Sequence, residues 1–283
     1  MATFTNYATL SYTGGIKNSN TVTGELLETL SVSKTAVGTD YNADGDITYV
    51  ISLVNSSATP LTDVTVTDNL GGYAFNETTL YPLEYNAGTI RYYINGVLQT
   101  APTVTAGAPM VISGLTVPAN GNATLIYEAK VTAFAPLGLE ASVTNTATVT
   151  GTGIAAPLTA TETVNAVNKA DLSISKAISP AAVAENGRLT YTFVIQNFGS
   201  VEANAADDVV FTDTFDPILS AVEATFDGTA WVEGTNYTYD ATTGLFTSAE
   251  GQITVPAATY TQNTDGTWTV NPGTATLVIS GNI

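Results

Sequence analysis

Hydrophobic and polar residues alternate in short stretches along most of this chain. Residues 30–37 read LSVSKTAV, and residues 46–55 read DITYVISLVN. A period of two places successive side chains on opposite faces of a β-strand, and the turn-forming residues Gly, Asn, Asp and Pro separate the stretches. We find no convincing stretch of helical period. The pattern therefore predicts an all-β fold built from antiparallel sandwiches.

The alternating stretches occur twice in the same order, which is the signature of an internal repeat. The first copy contains LSVSKTAV at 30–37, DITYVISLVN at 46–55, TDVTVTDNL at 62–70 and GNATLIYEAKV at 121–131. The second copy contains LSISKAIS at 172–179, RLTYTFVIQN at 188–197, DDVVFTDTF at 207–215 and GTATLVISGNI at 273–283. We predict two tandem immunoglobulin-like β-sandwiches, residues 25–167 and 168–283.

Only the first copy continues into a further pair of strands. Residues 143–164 read VTNTATVTGTGIAAPLTATETV, and a near-copy, FTNYATLSYTGGIKNSNTVTG, begins at Phe4. The second copy therefore lacks its last hairpin in this sequence, whereas residues 1–24 supply a spare one. We predict that residues 1–24 are a donor segment and that the second sandwich is incomplete. The alternative interpretation is that these ends result from cutting a piece out of a longer repeat protein.

The donor segment has the pattern of a core strand. Phe4, Asn6, Ala8 and Leu10 share one face of the predicted strand. A sandwich that lacks strands exposes core side chains and unpaired backbone groups, and an added strand covers them. About five residues join the segment to the first sandwich, or ~17 Å at full extension, so we expect it to enter another molecule. Repeated head to tail, this exchange gives an open filament of the chain with itself.

Each copy also places a lysine, an aspartate and an asparagine at core-facing strand positions. The first set is Lys34, Asp68 and Asn145, and the second is Lys176 and Asp213 with Asn6 of a neighbouring molecule. An apolar site lowers the pKa of a lysine and raises that of an aspartate. The neutral amine can then attack the asparagine amide, with the protonated aspartate as proton shuttle, and ammonia leaves. We predict an autocatalytic isopeptide bond within the chain and another between chains.

Two other interpretations of these residues stay open. The lysine and aspartate of each set could form a buried salt bridge, with the asparagine as a hydrogen-bonding cap. The lysines could instead extend into solvent at the end of a strand. The mass of the first sandwich distinguishes the covalent bond from both, because only the bond removes one ammonia.

The composition narrows the possible functions. Charged residues make up 11% of the chain, the net charge is −18, and there is no His or Cys. This acidity argues against nucleic acid and anionic membranes as partners, and without Cys there is no thiol chemistry. We find no nucleophile paired with a base, and we expect neither enzyme activity nor a cofactor. The acidic run DYNADGD at 40–46 lacks the terminal Glu of a calcium loop, so we expect a turn and no metal site.

The sequence has no apolar run of transmembrane length and no recognisable signal peptide. Export would then use a signal that has been removed, or another route such as assembly on a spore inside a mother cell that lyses. We expect the chain outside the cell, on a cell or spore surface, without insertion into a membrane.

The repeat resembles the conserved-repeat domain of bacterial and archaeal surface proteins, known as domain of unknown function eleven. The resemblance is carried by LSVSK, DITYVISLVN, VTVTDNL, GNATLIYEAKV and VTNTATVTG and by their second copies. It implies immunoglobulin-like sandwiches in extracellular, cell-wall or spore-surface fibres, often stabilised by isopeptide bonds. The incomplete last domain and the orphan N-terminal hairpin depart from the family's usual form and suit a pilus-like fibre or spore appendage.

These expectations combine into one predicted function. The chain would be a structural filament subunit that polymerises by donor-strand complementation and is reinforced by isopeptide bonds. The alternative is a ligand-binding adhesin module excised from a larger repeat-containing surface protein. Filament formation by the purified chain separates the two.

Overall fold

The computed structural model describes residues 2–26 and 29–283. In this part of the chain every element is a β-strand except one 3-10 turn at Ala205–Asp207. Two separate hydrophobic cores lie in succession along the chain, one within residues 30–166 and the other within residues 189–279. The predicted all-β fold with two tandem sandwiches is thereby confirmed.

The first sandwich consists of two six-stranded sheets packed face to face. One sheet has the order β13-β12-β16-β7-β5, with β11 also paired to β16, and the other has the order β14-β15-β8-β17-β18-β6; β9 and β10 form a small hairpin. The strands are β5 (Leu30–Val37), β6 (Asp40–Tyr41), β7 (Asp46–Asn55), β8 (Leu61–Asp68), β9 (Tyr73–Phe75), β10 (Thr78–Leu80), β11 (Leu83–Tyr85), β12 (Arg91–Ile94), β13 (Val97–Leu98), β14 (Thr103–Thr105), β15 (Met110–Val117), β16 (Gly121–Val131), β17 (Ser142–Thr152) and β18 (Leu158–Ala166).

Strand β17 lies inside the second sheet and carries Asn145. It lies between β8 and β18, and Ala147 pairs with Asp68 across the ladder to β8. Alternate residues of β17 point into the core, so Val143, Asn145, Ala147 and Val149 are all buried. The sequence repeat therefore predicted the inward face of this strand correctly.

The second sandwich has a five-stranded sheet, β19-β20-β28-β22-β23, facing a three-stranded sheet, β21-β25-β24. Its strands are β19 (Leu172–Ser179), β20 (Arg188–Asn197), β21 (Thr212–Thr214), β22 (Ser220–Phe226), β23 (Thr229–Trp231), β24 (Tyr237–Asp240), β25 (Leu245–Ser248), β26 (Thr259–Gln262), β27 (Trp268–Asn271) and β28 (Gly273–Asn282). Within the described residues, no strand of this sandwich takes the place that β17 and β18 have in the first.

The counterpart of β8 is shorter than its sequence pattern predicts. Residues 207–215 alternate like a full strand, but only Thr212–Thr214 pairs, and it pairs on one side only, with β25. Ahead of it, the side chain of Asn204 caps the 3-10 turn and Asp208 has a left-handed backbone with φ of 49°. A strand held along one edge has fewer ladder hydrogen bonds to keep it extended, which accounts for the difference.

An inserted hairpin joins the second sandwich to the first. The sequences LTVPA at 115–119 and ITVPA at 253–257 correspond, but the first is followed directly by Asn120 and Gly121, and the second by residues 258–272 before Gly273. This insertion forms the hairpin β26–β27. Trp268 donates its backbone N–H to the carbonyl of Ala133 at 2.9 Å, and the Gln262 amide donates to the Tyr73 hydroxyl at 3.0 Å.

The N-terminal ribbon is a two-stranded hairpin that precedes both sandwiches. It contains β1 (Ala2–Asn6), β2 (Thr9–Tyr12), β3 (Gly15–Asn18) and β4 (Val22–Leu26), with β1 paired to β4 and β2 to β3. Asn6 pairs with Val22 and Thr9 with Asn18, so two residues on one side face three on the other. This bulge interrupts the continuous face that the sequence predicts for the donor segment.

Candidate functional site

Lys34 and Asp68 form an ion pair inside the first sandwich. Lys34 lies on β5 and Asp68 at the end of β8, in opposite sheets, and alternation turns both side chains inward. The Lys34 Nζ and Asp68 Oδ2 atoms are 2.6 Å apart, and both side chains are fully buried. Two charges removed from water in this way depend on each other, because either alone would be a buried unpaired ion.

Asp68 accepts two further hydrogen bonds. The Tyr127 hydroxyl donates to Oδ2, and the backbone N–H of Leu70 donates to Oδ1 at 2.9 Å. Tyr127 stacks on Tyr49 with ring centroids 5.6 Å apart, and the Lys34 ammonium lies 4.7 Å from the centroid of the Tyr49 ring. The carboxylate is thus held by three donors within an aromatic enclosure, which fixes its orientation towards Lys34.

Burial makes the Lys34 amine easy to deprotonate. Removal from water lowers the pKa of Lys34 to about 8, despite the opposing attraction of Asp68. An appreciable fraction of this amine is therefore neutral near physiological pH, whereas an ordinary lysine is almost wholly protonated. A neutral amine is the form that can act as a nucleophile.

The lowered pKa of Lys34 predicts a pH dependence in a chain that cannot form the bond, Asn145→Ala. Below pH about 8 Lys34 is protonated in both states and its burial opposes folding, whereas above pH about 10.5 it is neutral in both. In between, the unfolded chain binds more protons, so the free energy of unfolding should rise with pH, by an amount on the order of 3 kcal/mol. Urea denaturation of this variant and of Asn145→Ala/Lys34→Met measures the effect, because the double variant subtracts the titrating groups that lie away from Lys34 and Asp68. A difference between the two that stays constant with pH would contradict the lowered pKa.

Asn145 lies next to this pair and is wholly buried. Its side chain is close enough to the Tyr49 and Tyr127 hydroxyls to influence the pKa of both, without a hydrogen bond of standard geometry to either. Among the described residues, four buried side-chain polar atoms have no hydrogen-bond partner: Asn145 Oδ1 and Nδ2, the Tyr49 hydroxyl and Trp268 Nε1. Three of the four therefore belong to this one cluster.

The second set is assembled but open to solvent. Lys176 Nζ lies 2.5 Å from Asp213 Oδ2, with side-chain exposures of 44% and 19%. The ammonium also lies 4.8 Å from the ring centroid of Tyr191 and 5.4 Å from those of Phe193 and Phe215. The same pair thus exists in both sandwiches, buried in the first and partly exposed in the second.

An open groove beside Lys176 explains the difference in burial. The groove has a volume of about 410 Å³ and is lined by Ile174, Lys176, Val210, Phe211 and Asp213, among others. Every residue of β19 is exposed, whereas its counterpart β5 buries Leu30 and Lys34. The groove lies along the edge of β21 that, in the described part of the chain, has no neighbouring strand.

The predicted donor residues are exposed in the ribbon. Asn6, Ala8 and Leu10 all face solvent, and Leu10 is 66% exposed. Phe4 belongs to β1, but its side chain lies outside the described part of the chain. Asn6 is not in contact with Lys176 or Asp213 of its own chain, so the predicted meeting of these three residues between molecules stays a prediction.

Two residues of the first cluster were missed at the level of sequence, Tyr49 and Tyr127. Both occupy core-facing positions of alternating strands, so the period of two could have indicated them. Tyr49 has a tyrosine counterpart in the second copy, Tyr191, whereas the counterpart of Tyr127 is Ile279. A buried tyrosine retained in both copies beside the lysine is the stronger of these two signals.

The described residues contain neither a metal-binding cluster nor a membrane-spanning helix. They hold no group of three or more acidic, His or Cys side chains that could bind a metal ion. No helix among them is long and apolar enough to span a bilayer.

No protein-family model and no curated protein matches the chain, so the resemblance to the conserved-repeat domain stays a prediction. Among solved structures, BcpA, the major pilin subunit of Bacillus cereus, is 14% identical, with a TM-score of 0.36 over 96% of this chain and 73% of its own. The pilus backbone RrgB from Streptococcus pneumoniae is 14% identical, with a TM-score of 0.34 over 86% of this chain and 55% of its own. The collagen-binding subdomain of the Enterococcus faecalis surface protein ACE is 9% identical, with a TM-score of 0.32 over 50% of this chain and 99% of its own. At such low identities and TM-scores, these similarities say nothing about the function of this chain.

Proposed function

We propose that this chain is a structural subunit of an extracellular or spore-surface filament. Its partner is another copy of itself: the N-terminal ribbon of one molecule fills the groove in the second sandwich of the next. Isopeptide bonds between lysine and asparagine then reinforce the first sandwich and the joint between molecules. The observation that carries the proposal is the exposed Lys176–Asp213 pair, which lies in an open groove. The corresponding pair of the first sandwich, Lys34–Asp68, is buried beneath β17.

The groove has the properties of an acceptor for a β-strand. It combines exposed apolar side chains, such as Ile174 and Val210, with a strand edge that has no neighbour in the described chain. In the first sandwich, β17 fills the equivalent space and makes Lys34 and Asp68 inaccessible to water. A strand added here would bury the apolar residues and pair the backbone edge in one step.

The ribbon has the properties of the matching donor. It repeats the sequence of β17, so Ala8 corresponds to Ala147 and Asn6 to Asn145. All residues from Thr5 to Thr23 are exposed and Gly24 is half-buried, so this part of the ribbon is not packed into a core of its own chain. An isolated two-stranded hairpin is only marginally stable in water, which favours its transfer into a groove.

The chemistry follows from the buried cluster of the first sandwich. Lys34 passes a proton to the Asp68 carboxylate, and its neutral Nζ attacks Cγ of Asn145. The carbon–nitrogen bond of the Asn145 side chain breaks, and the leaving nitrogen takes up one proton and departs as ammonia. The second proton that Nζ gives up stays on Asp68, and a Lys34–Asn145 amide remains. Lys176, Asp213 and the neighbour's Asn6 would react in the same way. Each set reacts once, so the chain is not an enzyme in the usual sense.

Electron microscopy of the purified chain tests the proposal. At micromolar concentration the chain should form long filaments that partly survive boiling in detergent, whereas a variant lacking residues 2–24 should not polymerise. A peptide spanning residues 2–24 should bind that variant and restore protection of Lys176 from amine-reactive reagents. If the full chain stays monomeric and the variant does not bind the peptide, the filament proposal is wrong and the groove belongs to an adhesin module with another ligand.

A further inference from the structure

The cluster around Lys34 contains a hydroxyl that the reaction described above does not use. Tyr49 is fully buried, and its hydroxyl is one of the buried atoms without a hydrogen-bond partner in the described part of the chain. The Asn145 side chain is close enough to influence the pKa of this hydroxyl, and both the nitrogen and the oxygen of its amide are also unpartnered. Buried polar groups in folded proteins nearly always have hydrogen-bond partners. The unpartnered Tyr49 hydroxyl and the unpartnered Asn145 amide near it therefore need an explanation.

We propose that Tyr49 is a catalytic residue of the isopeptide reaction, whose hydroxyl donates a hydrogen bond to the side-chain oxygen of Asn145 as Lys34 attacks. This inference rests on the proposed function. Attack of Nζ on Cγ converts the planar amide into a tetrahedral intermediate with a negative oxygen. A pre-positioned donor in a water-free site stabilises that oxygen without having to reorganise.

Tyr49 suits this role better than Tyr127. A tyrosine hydroxyl has one proton to donate, and that of Tyr127 is already donated to Asp68. Burial raises the pKa of the Tyr49 hydroxyl, so it keeps its proton and remains a donor throughout the accessible pH range. The Lys34 ammonium lies 4.7 Å from the Tyr49 ring centroid, which places nucleophile, amide and donor together.

Formation of the isopeptide bond also removes or pairs the three polar atoms of this cluster that lack hydrogen-bond partners, Asn145 Nδ2 and Oδ1 and the Tyr49 hydroxyl. The Asn145 nitrogen departs as ammonia, which removes one unpartnered donor from the core. The oxygen of the new amide can accept from Tyr49, which pairs the remaining two atoms. The unreacted cluster therefore carries a polar penalty that closure of the bond relieves.

The second site keeps the same hydroxyl. Tyr191 corresponds to Tyr49, and Lys176 Nζ lies 4.8 Å from its ring centroid. The residue corresponding to Tyr127 is Ile279, so of the two tyrosines only the Tyr49 position is shared. We therefore expect the Tyr191 hydroxyl to donate a hydrogen bond to the side-chain oxygen of Asn6 of the neighbouring molecule, as Tyr49 does to Asn145.

Rates of bond closure test the role of Tyr49. The full chain is made by cell-free synthesis, sampled over time, and its intact mass is followed for the loss of one ammonia per closed bond within the chain. Tyr49→Phe should slow this loss by roughly a hundredfold, the usual effect of removing one oxyanion donor. Tyr85→Phe is the matched control, because it removes a hydroxyl from a ring that contacts Tyr127 edge-on and should close at the wild-type rate.

Stability in an unreactive background separates catalysis from packing. With Lys34→Met no bond can form within the first sandwich, and adding Tyr49→Phe then removes only an unpartnered hydroxyl from it. The urea midpoint should stay unchanged or rise, whereas a structural hydroxyl would lower it when removed. Closure of Tyr49→Phe at the wild-type rate, or a lowered midpoint in this background, would overturn the role of Tyr49 and leave the proposed function intact. A wild-type chain that never loses ammonia would overturn the role of Tyr49 and the covalent part of the proposed function, whereas strand exchange is tested separately by filament formation.

Discussion

Replacing Asp68 with alanine should abolish the loss of ammonia from the first sandwich and destabilise it by about 3–5 kcal/mol. Lys34 would keep its place in the core without a counter-charge and without a group to take its proton. The variant would also lack the cross-link between β5 and β17, which in the wild-type chain restricts the unfolded state as a disulfide does. Intact mass reports the bond, and urea denaturation reports the stability.

Asp213→Ala provides the matched control for Asp68→Ala. Asp213 forms the same pair in the repeat, but the Lys176 side chain is 44% exposed and water can solvate it. In the monomer this change should therefore cost no more than ~1 kcal/mol. In filaments it should remove the resistance to boiling detergent, because the bond between molecules cannot form. Loss of ammonia from the Asp68→Ala chain would show that Asp68 is not the proton acceptor.

Ala8→Trp should prevent filament formation and leave the monomer unchanged. The corresponding residue in the first sandwich, Ala147, is fully buried opposite Asp68, in a space that admits only a small side chain. A tryptophan at this position would overpack the filled groove at a cost of at least 1–3 kcal/mol, or roughly ten- to a hundredfold in affinity. Because Ala8 is exposed in the ribbon, the substitution should not change the stability of the monomer.

Thr9→Trp is the matched control on the opposite face of the same strand. Its counterpart in β17 is Thr148, and the threonines on that outward face pair with one another at the surface. Sedimentation velocity at increasing concentration should show polymers of Thr9→Trp and monomers of Ala8→Trp. Equal polymerisation of the two variants would mean that this segment does not enter the groove in the register of β17.

Local chemistry was enough to predict much of the fold. Alternation with a period of two was enough to predict that the side chains of Lys34 and Asp68 face the core of the first sandwich. Asn-Gly is the dipeptide most typical of a tight hairpin turn, and Asn95 and Gly96, with φ values of 47° and 79°, join β12 to β13 in such a turn. Such features depend on neighbours in sequence, which a single chain displays directly.

Features that depend on packing between distant segments escaped prediction. The bulge of the N-terminal ribbon and the short length of β21 depend on which backbone groups form hydrogen bonds with each other. The pattern of hydrophobic and polar residues does not contain this information. The alternation along β7 could have indicated that Tyr49 faces the core, but not which side chain its hydroxyl would meet. That depends on how the two sheets of the first sandwich lie against each other, and the residues in contact are far apart in the chain.

The inserted hairpin β26–β27 has a mechanical consequence for the proposed filament. It braces the joint within each molecule by reaching from the second sandwich back to Ala133 and Tyr73 of the first. The joint between molecules would lead into a first sandwich whose corresponding connection, residues 119–121, is too short to form such a brace. Bending would then concentrate at every second joint, and the fibre would flex as a chain of rigid two-domain links. Under tension these links would keep their length while the covalently closed joints between them carried the load.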